Sequence, residues 1–244
     1  MASKKAVVIE PHNDDLVIGI GGTVLQLISD GWNVTSVVMS DGRYGNDEDH
    51  TPEEMIPVRA SEKQAEREFL GVTGGCLGIH DLNLADRYRA PQHRRAILEQ
   101  LKKYTPADTE FVLFMPAGGE AHPDHQAAHK FAQDLVANIE ASVTEVHYVV
   151  WEVPFYPERS ESPGTVLTVG VDDEFDSKTK AIELHDSQEQ KQRYTMMVKR
   201  FNQYLAELYN HPEEHIEMIS VRGNENQLVE SLRSTTVTQR YHNV

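Results

Sequence analysis

Residues 6–23 read AVVIEPHNDDLVIGIGGT. The opening run, Ala6 to Ile9, is apolar and β-branched and is bounded by Pro11, the pattern of a short buried strand. From Thr23 to Ile28 the apolar residues recur at helical spacing, and Asp30-Gly31 ends them. The polar stretch between a strand and a helix holds one histidine, two adjacent aspartates and a glycine cluster.

Working outward, strand and helix patterns alternate. Buried strands are expected at 34–39, around 76–79, at 110–115, 146–153 and 166–171. Helices are expected at 52–70, with Ala60, Ala65, Phe69 and Leu70 on one side and Gly71 as the stop, and at 91–104, with Ile97, Leu98 and Leu101 on one face. A further helix, 122–139, turns Ala128, Phe131, Leu135 and Ile139 inward, and 175–208 reads as one or two more. This alternation indicates βαβ units and an α/β fold with a parallel, layered sheet. The segment 155–164 is rich in Pro, Ser and Glu and reads as a surface loop.

The chain of 244 residues carries 23 Lys+Arg against 39 Asp+Glu, a formal net charge of −16. Nucleic acid and anionic membranes are therefore disfavoured as main partners. The length suits one large α/β domain, able to bury about three quarters of its unfolded surface. With Cys76 as the single cysteine, neither a disulfide framework nor a cysteine zinc site can form within one chain. The apolar run at 6–9 is shorter than the roughly 7 to 15 residues of a secretory signal or the roughly 20 of a membrane span, so a cytoplasmic protein is expected.

In a parallel α/β fold, the residues after the first strand leave the sheet at its carboxyl edge, where ligands bind. A dinucleotide loop does not fit: Gly19-x-Gly21-Gly22 lacks the G-x-G-x-x-G spacing, and Asp14 and Asp15 would face a pyrophosphate. Two carboxylates beside His12 suit a cation. A second cluster, His122-Pro123-Asp124-His125, follows the 110–115 strand. If both clusters sit on adjacent strands, His12, Asp15 and His125 could hold one metal, with an open position, as in catalytic zinc sites. Asp14 would remain free as a general base for bound water.

The pattern strand–H-x-D-D–x-x-x-G-x-G-G-T, with H-P-D-H about a hundred residues later, resembles the zinc-dependent de-N-acetylases of the LmbE-like or PIG-L family. Ser40-Asp41-Gly42, Arg59-x-x-Glu62 before Leu70-Gly71-Val72, and Leu84-Ala85-Asp86 are similar to further segments of that family. The late patch Lys180-Ala181 to His185-x-Ser187-Gln188 is similar to another, although it also reads as a polar helix face. The resemblance implies a Rossmann-like three-layer fold with a mostly parallel sheet and helices on both faces. It also implies a single domain over 1–244, with 1–140 as catalytic core and 141–244 shaping the substrate pocket.

By position, His12, Asp15 and His125 resemble the family's zinc ligands and Asp14 its general base. His122 matches the histidine that stabilises or protonates the tetrahedral intermediate, and Asp124 one that orients a histidine. Arg59 and Asp86 fall where the family contacts the sugar, though Arg59 could equally pair with Glu62 or Glu66. The implied activity is removal of an N-acetyl group from a small amino-sugar substrate such as an N-acetylglucosaminyl conjugate. One departure is Asn13 where the family has proline, and Leu16 replaces its following acidic residue.

Two other classes compete: a non-haem iron oxygenase, suggested by His12-x-Asp14 but at odds with the long helices, and a binding module without turnover. Tyr44, in the loop 41–49, is placed near the pocket mouth, and His129 in packing or at the surface. Glu213, Glu214 and Glu217 read as a solvated face without a heptad, which leaves a homo-oligomer open.

Overall fold

The computed structural model describes residues 4–45, 50–106, 110–151 and 164–237. Residues 155–163 of the expected loop 155–164, residues 46–49 and the last two residues of the expected 146–153 strand lie outside them. Eight strands are present among the described residues: β1 (Lys5–Glu10), β2 (Asn33–Ser40), β3 (Thr73–Ile79), β4 (Phe111–Pro116), β5 (Val143–Tyr148), β6 (Thr165–Gly170), β7 (Ile216–Arg222) and β8 (Ser234–Thr236). They form one sheet in the order β3-β2-β1-β4-β5-β7-β6-β8. β1 to β5 pair in parallel, and β7, β6 and β8 extend the sheet in antiparallel fashion.

The period of two along the strands puts core on both faces. Ala6 and Val8 of β1, with Val112 and Phe114 of β4, join one cluster with Leu16, Ile20 and Leu27 of α1 (Asp15–Ser29) and Ile182 of α6 (Asp172–Glu183). Val7 and Ile9, with Leu113 and Met115, join the opposite cluster with Phe131 and Leu135 of α5 (Pro123–Ala137), Leu84 of α3 (Leu84–Arg89) and Ile97 of α4 (Pro91–Leu101). Helices thus cover both faces of a mostly parallel sheet, the three-layer Rossmann-like arrangement.

α1 begins at Asp15, earlier than Thr23, because the glycines that look like a loop serve close packing. A Cβ on Gly22 would lie 2.6 Å from Val171 Cγ1, and one on Gly19 would lie 2.8 Å from the Val149 carbonyl oxygen. The helix kinks at Ile20 (φ −139°, ψ 24°). Glu217 of β7 then accepts the amides of Gly22 at 2.8 Å and Thr23 at 2.7 Å, capping the second half, while Lys178 Nζ donates to it at 2.7 Å. Glu217 is therefore buried, not part of a solvated face.

The expected apolar face of α2 (Pro52–Leu70) is also corrected. Ala60 and Phe69 are exposed, and the inward face carries Met55, Arg59, Lys63, Glu66, Arg67 and Leu70. Lys63 Nζ donates to Glu10 and to Glu66, each at 2.7 Å, so the buried charges satisfy one another. Thr51 and Glu54 form a capping box at its start, and Gly71 (φ +75°) ends it. The expected helical stretch 175–208 is three helices, α6, α7 (Asp186–Gln192) and α8 (Tyr194–Leu208), with the His185 backbone carbonyl accepting from Gln188 and Glu189 at the start of α7 and left-handed Arg193 breaking α7 from α8. The last described elements are α9 (Asn226–Ser231) and β8. Among the described residues no helix is long and apolar enough to cross a membrane.

Candidate active site

β1 and β4 lie side by side and parallel, with Ala6 opposite Val112 and Val8 opposite Phe114. From β1 the chain proceeds to β2 and β3 on one side, and from β4 to β5 on the other. The order reverses between them, which opens a crevice at the carboxyl ends of these two strands. Both sequence clusters enter this crevice, His12 to Asp15 from β1 and Glu120 to His125 from β4.

Asp15 stands between two imidazoles. Its Oδ2 accepts the His12 backbone N–H at 2.7 Å and lies 3.3 Å from His12 Nδ1, while its Oδ1 lies 3.4 Å from His125 Nε2. His122 lies beside them: a ring nitrogen from each of His12, His122 and His125 falls within 4.8 Å of the others. The far nitrogen of His12, Nε2, faces Asp81 Oδ1 at 3.4 Å and Asp124 Oδ2 at 3.6 Å. Asp124 also accepts the amides of Leu82 at 2.9 Å and Leu84 at 3.2 Å, which ties the loop before α3 to the start of α5. Leu82 is held there at φ +60°, a left-handed conformation that a leucine rarely takes.

His122 is the N-cap of α5, its Nδ1 accepting the Asp124 N–H at 3.2 Å. The Nδ1 is thereby engaged as an acceptor, leaving Nε2 to carry the ring N–H. His125 Nδ1 binds the Glu120 carboxylate, whose other oxygen accepts the Val150 N–H at 2.7 Å. A carboxylate behind an imidazole fixes its tautomer and aims the opposite nitrogen at the crevice.

Asp14 lines the same cavity and is held separately. Its Oδ2 accepts from Arg59 Nη2 at 2.9 Å, and Arg59 Nη1 donates to Glu62 Oε2 at 3.0 Å. Arg59 is 2% exposed, so it is a buried partner of both Asp14 and Glu62 and not a surface ion pair. Asn13 donates from Nδ2 to the Arg59 carbonyl at 3.3 Å and so ties the loop to α2. Gly42 (φ +69°) leaves room for it, since a Cβ there would meet Asn13 Oδ1 at 2.4 Å.

The charges reinforce this arrangement. Burial opposes a charge on His12, but Asp15 and the carboxylates of Asp124 and Asp81 outweigh it and raise the pKa well above the usual range. Burial likewise opposes a proton on His125, and Asp15 with Glu120 raises it to about 9. Asp15 is lowered well below the carboxylate range: burial resists, and His125 with His12 prevails. For His122, burial and the positive His12 and His125 lower the pKa. Carboxylates that draw protons onto two converging imidazoles would equally favour a divalent cation in their place. The donor set therefore suits a metal.

These residues line a cavity of about 320 Å³, with Tyr44, Leu82, Trp151, Gln188, Gln192 and Tyr194 around it. The Trp151 and Tyr194 rings lie 5.3 Å apart. Of the residues expected from sequence, His12, Asp14, Asp15, Arg59, His122 and His125 line it, with Asp124 directly behind. Asp86 is not brought in. It sits on the outward side of α3, paired with Arg89 at 2.9 Å with its side chain 71% exposed, and Asp81 occupies the pocket wall instead. His129 packs beneath the site, its Nδ1 3.0 Å from the Pro116 carbonyl. The sequence patterns single out neither Glu120 nor Asp81, and for His185 they offer both the family patch and a polar helix face. Glu120 had one signal, an acidic residue just before His122 and His125 at the end of a buried strand.

An α/β sheet with a carboxylate–imidazole centre at its switch point defines the class of protein. Residues 7–136 match the family model described as GlcNAc-PI de-N-acetylase (PIG-L), and the chain belongs to that family. Among characterised proteins it is similar to the diacetylchitobiose deacetylase of Thermococcus kodakarensis, 29% identical over 206 residues, 76% of this chain and 70% of that one. Among solved structures it is similar to the N,N'-diacetylchitobiose deacetylase of Pyrococcus horikoshii, with a TM-score of 0.70 and 24% identity over 91% of this chain and 84% of that one. GalB, the 4-carboxy-2-hydroxymuconate hydratase of Pseudomonas putida, shares the fold with a TM-score of 0.68 at 16% identity over 99% of both chains. Fold alone therefore does not choose the reaction.

Proposed function

We propose that the chain is a metal-dependent hydrolase that removes an N-acetyl group from a small amino sugar. The observation that carries this is Asp14: a buried carboxylate in the same cavity as the His12–Asp15–His125 group, clamped by Arg59. A module that only bound a cation would have no use for this second, separately held carboxylate. Family membership and the deacetylase relatives support the same choice.

His12, Asp15 and His125 would hold the metal, and two imidazoles with one carboxylate suit zinc among several divalent ions. When bound, such an ion supplies an acidified water and polarises a carbonyl. Asp14 accepts the proton released as water adds to the acetamide carbon. His122 donates from Nε2 to the oxygen that becomes negative, as an oxyanion donor. Arg59, with both Asp14 and Glu62 as partners, keeps the Asp14 carboxylate in place. The amide C–N bond then breaks, the amine takes the proton held by Asp14, and acetate and a free amino sugar leave. Trp151, Tyr194 and Tyr44 offer apolar ring faces on which a sugar can pack.

The test is acetate release from N-acetylglucosamine, diacetylchitobiose and glucosaminide conjugates, with metal per chain measured alongside. Wild type should bind about one ion and turn over at least one of these sugars. Asp14→Asn should keep the metal and lose about a hundredfold or more in rate. Failure to bind metal, or full activity in Asp14→Asn, would remove the basis of the proposal.

A further inference from the structure

Behind Arg59 the hydrogen bonds continue into the C-terminal third of the chain. His185, at the corner between α6 and α7, is fully buried. Its Nδ1 lies 3.4 Å from Arg59 Nη1, and its Nε2 lies 2.6 Å from Glu66 Oε2. A guanidinium has only donors, so Nδ1 is the accepting nitrogen and the Nε2–H donates to Glu66. Glu66 is fixed in turn by Lys63, which donates to its Oε1 at 2.7 Å and also binds Glu10 at the end of β1.

The next residue but one repeats the contact from α7. Ser187 donates its N–H to Glu62 Oε1 at 2.7 Å and its hydroxyl to Glu62 Oε2 at 2.9 Å, and Glu62 is the second carboxylate on Arg59. The Arg59 guanidinium thus faces the active site on one side, through Asp14, and is held on the other by a histidine and a serine-anchored glutamate. A long side chain with a planar head has many rotamers, and three buried partners leave it one.

We infer that His185 is a positioning residue for the reaction: through Arg59 it sets where the Asp14 carboxylate points. This deepens, and rests on, the reading of Asp14 as the proton acceptor. Because Gln188 and Gln192 of α7 line the same cavity, one helix both walls the pocket and aligns the base. Displacement of a reacting group by a fraction of an ångström lowers the rate without changing how tightly the sugar binds.

His185→Gln keeps an N–H for Glu66 but offers no acceptor at the Nδ1 position, whereas His185→Asn places its amide oxygen near Nδ1. Expected for His185→Gln is a fall in kcat of about tenfold with KM within about twofold, unchanged metal content and a cooperative melt. His185→Asn should recover kcat to within about threefold of wild type. The side-chain ¹⁵N signals of Arg59 should show slow guanidinium rotation in wild type and in His185→Asn, and fast rotation in His185→Gln. An unchanged kcat in His185→Gln, a loss that His185→Asn does not recover, or a loss matched by loss of metal would overturn the inference. If wild type deacetylates none of the sugars, the functional reading fails separately, and slow Arg59 rotation that persists in His185→Gln then refutes the positioning role by itself.

Discussion

Glu120 and His122 divide the work around His125 in ways that single substitutions can separate. Glu120 touches no pocket space of its own; it holds His125 Nδ1 and is itself held by the Val150 N–H. Glu120→Gln should weaken metal affinity about 10- to 100-fold, read by competition with a chromophoric chelator, and an unchanged affinity would show that His125 needs no aiming. His122 does two things, capping α5 through Nδ1 and presenting Nε2 to the cavity. Asparagine is a good N-cap but lacks the ring donor. His122→Asn should therefore leave stability within about 0.5 kcal/mol while kcat falls about a hundredfold; a matched loss of stability would mean the histidine is there for the helix. The convergence of His12, Asp15, His122 and His125 was legible because H-x-x-D and H-P-D-H are short patterns whose spacing survives without tertiary knowledge. Glu120, Asp81 and His185 were not. Each acts across 5 to 126 residues of chain, from Glu120–His125 to Arg59–His185, through contacts that exist only once strands or helices are docked. Asp86 shows the opposite case: its short pattern matched, but α3 leaves its side chain exposed and paired with Arg89, outside the cavity.

At the scale of elements, sequence periodicity located most strands and helices and misjudged the faces that carry charge. The inward side of α2 is built from Arg59, Lys63, Glu66 and Arg67, and an apolar-moment argument necessarily looks for the other side. The same blindness hid β7, whose Glu217 looks like a surface residue in a chain this acidic. In the structure Glu217 replaces the hydrogen bonds that the kink at Ile20 removes from α1, accepting from Gly22 and Thr23, and it neutralises the fully buried Lys178. Glu217→Ala would leave that ammonium without its carboxylate and two amides uncapped. A destabilisation of about 3–5 kcal/mol is expected in urea unfolding, and a change below about 1 kcal/mol would show that the pair is dispensable. Because α1 begins at Asp15, a loosened α1 should also weaken metal binding, whereas a change confined to stability would place the kink outside the site's support.

Across the whole molecule, the parallel part of the sheet carries the site, β7, β6 and β8 extend it in antiparallel fashion, and His147 lies on β5 where the two meet. It sits opposite Met115 of β4 and Ser220 of β7, 2% exposed, with its ring 5.2 Å from that of His129. Burial first, then the neighbouring His129 and Arg222, push its pKa down to about 3. In the unfolded chain the same imidazole takes a proton near about 6.5. Between these values the unfolded state binds the extra proton, so His147 makes stability rise with pH and removes it progressively as the solution is acidified below about 6.5. The slope approaches about 1.4 kcal/mol per pH unit, or roughly 2 kcal/mol between pH 6.5 and 5. His12 and His125 are raised and act with the opposite sign, so the whole-protein curve is a sum and only a difference isolates His147. His147→Gln cannot titrate. Urea unfolding of wild type and His147→Gln at pH 7.5 and 5.0 should therefore show the variant losing less stability on acidification, by up to about 2 kcal/mol. Parallel losses would mean that His147 is protonated in the folded sheet, and that the junction between its two halves admits a charge that this packing excludes.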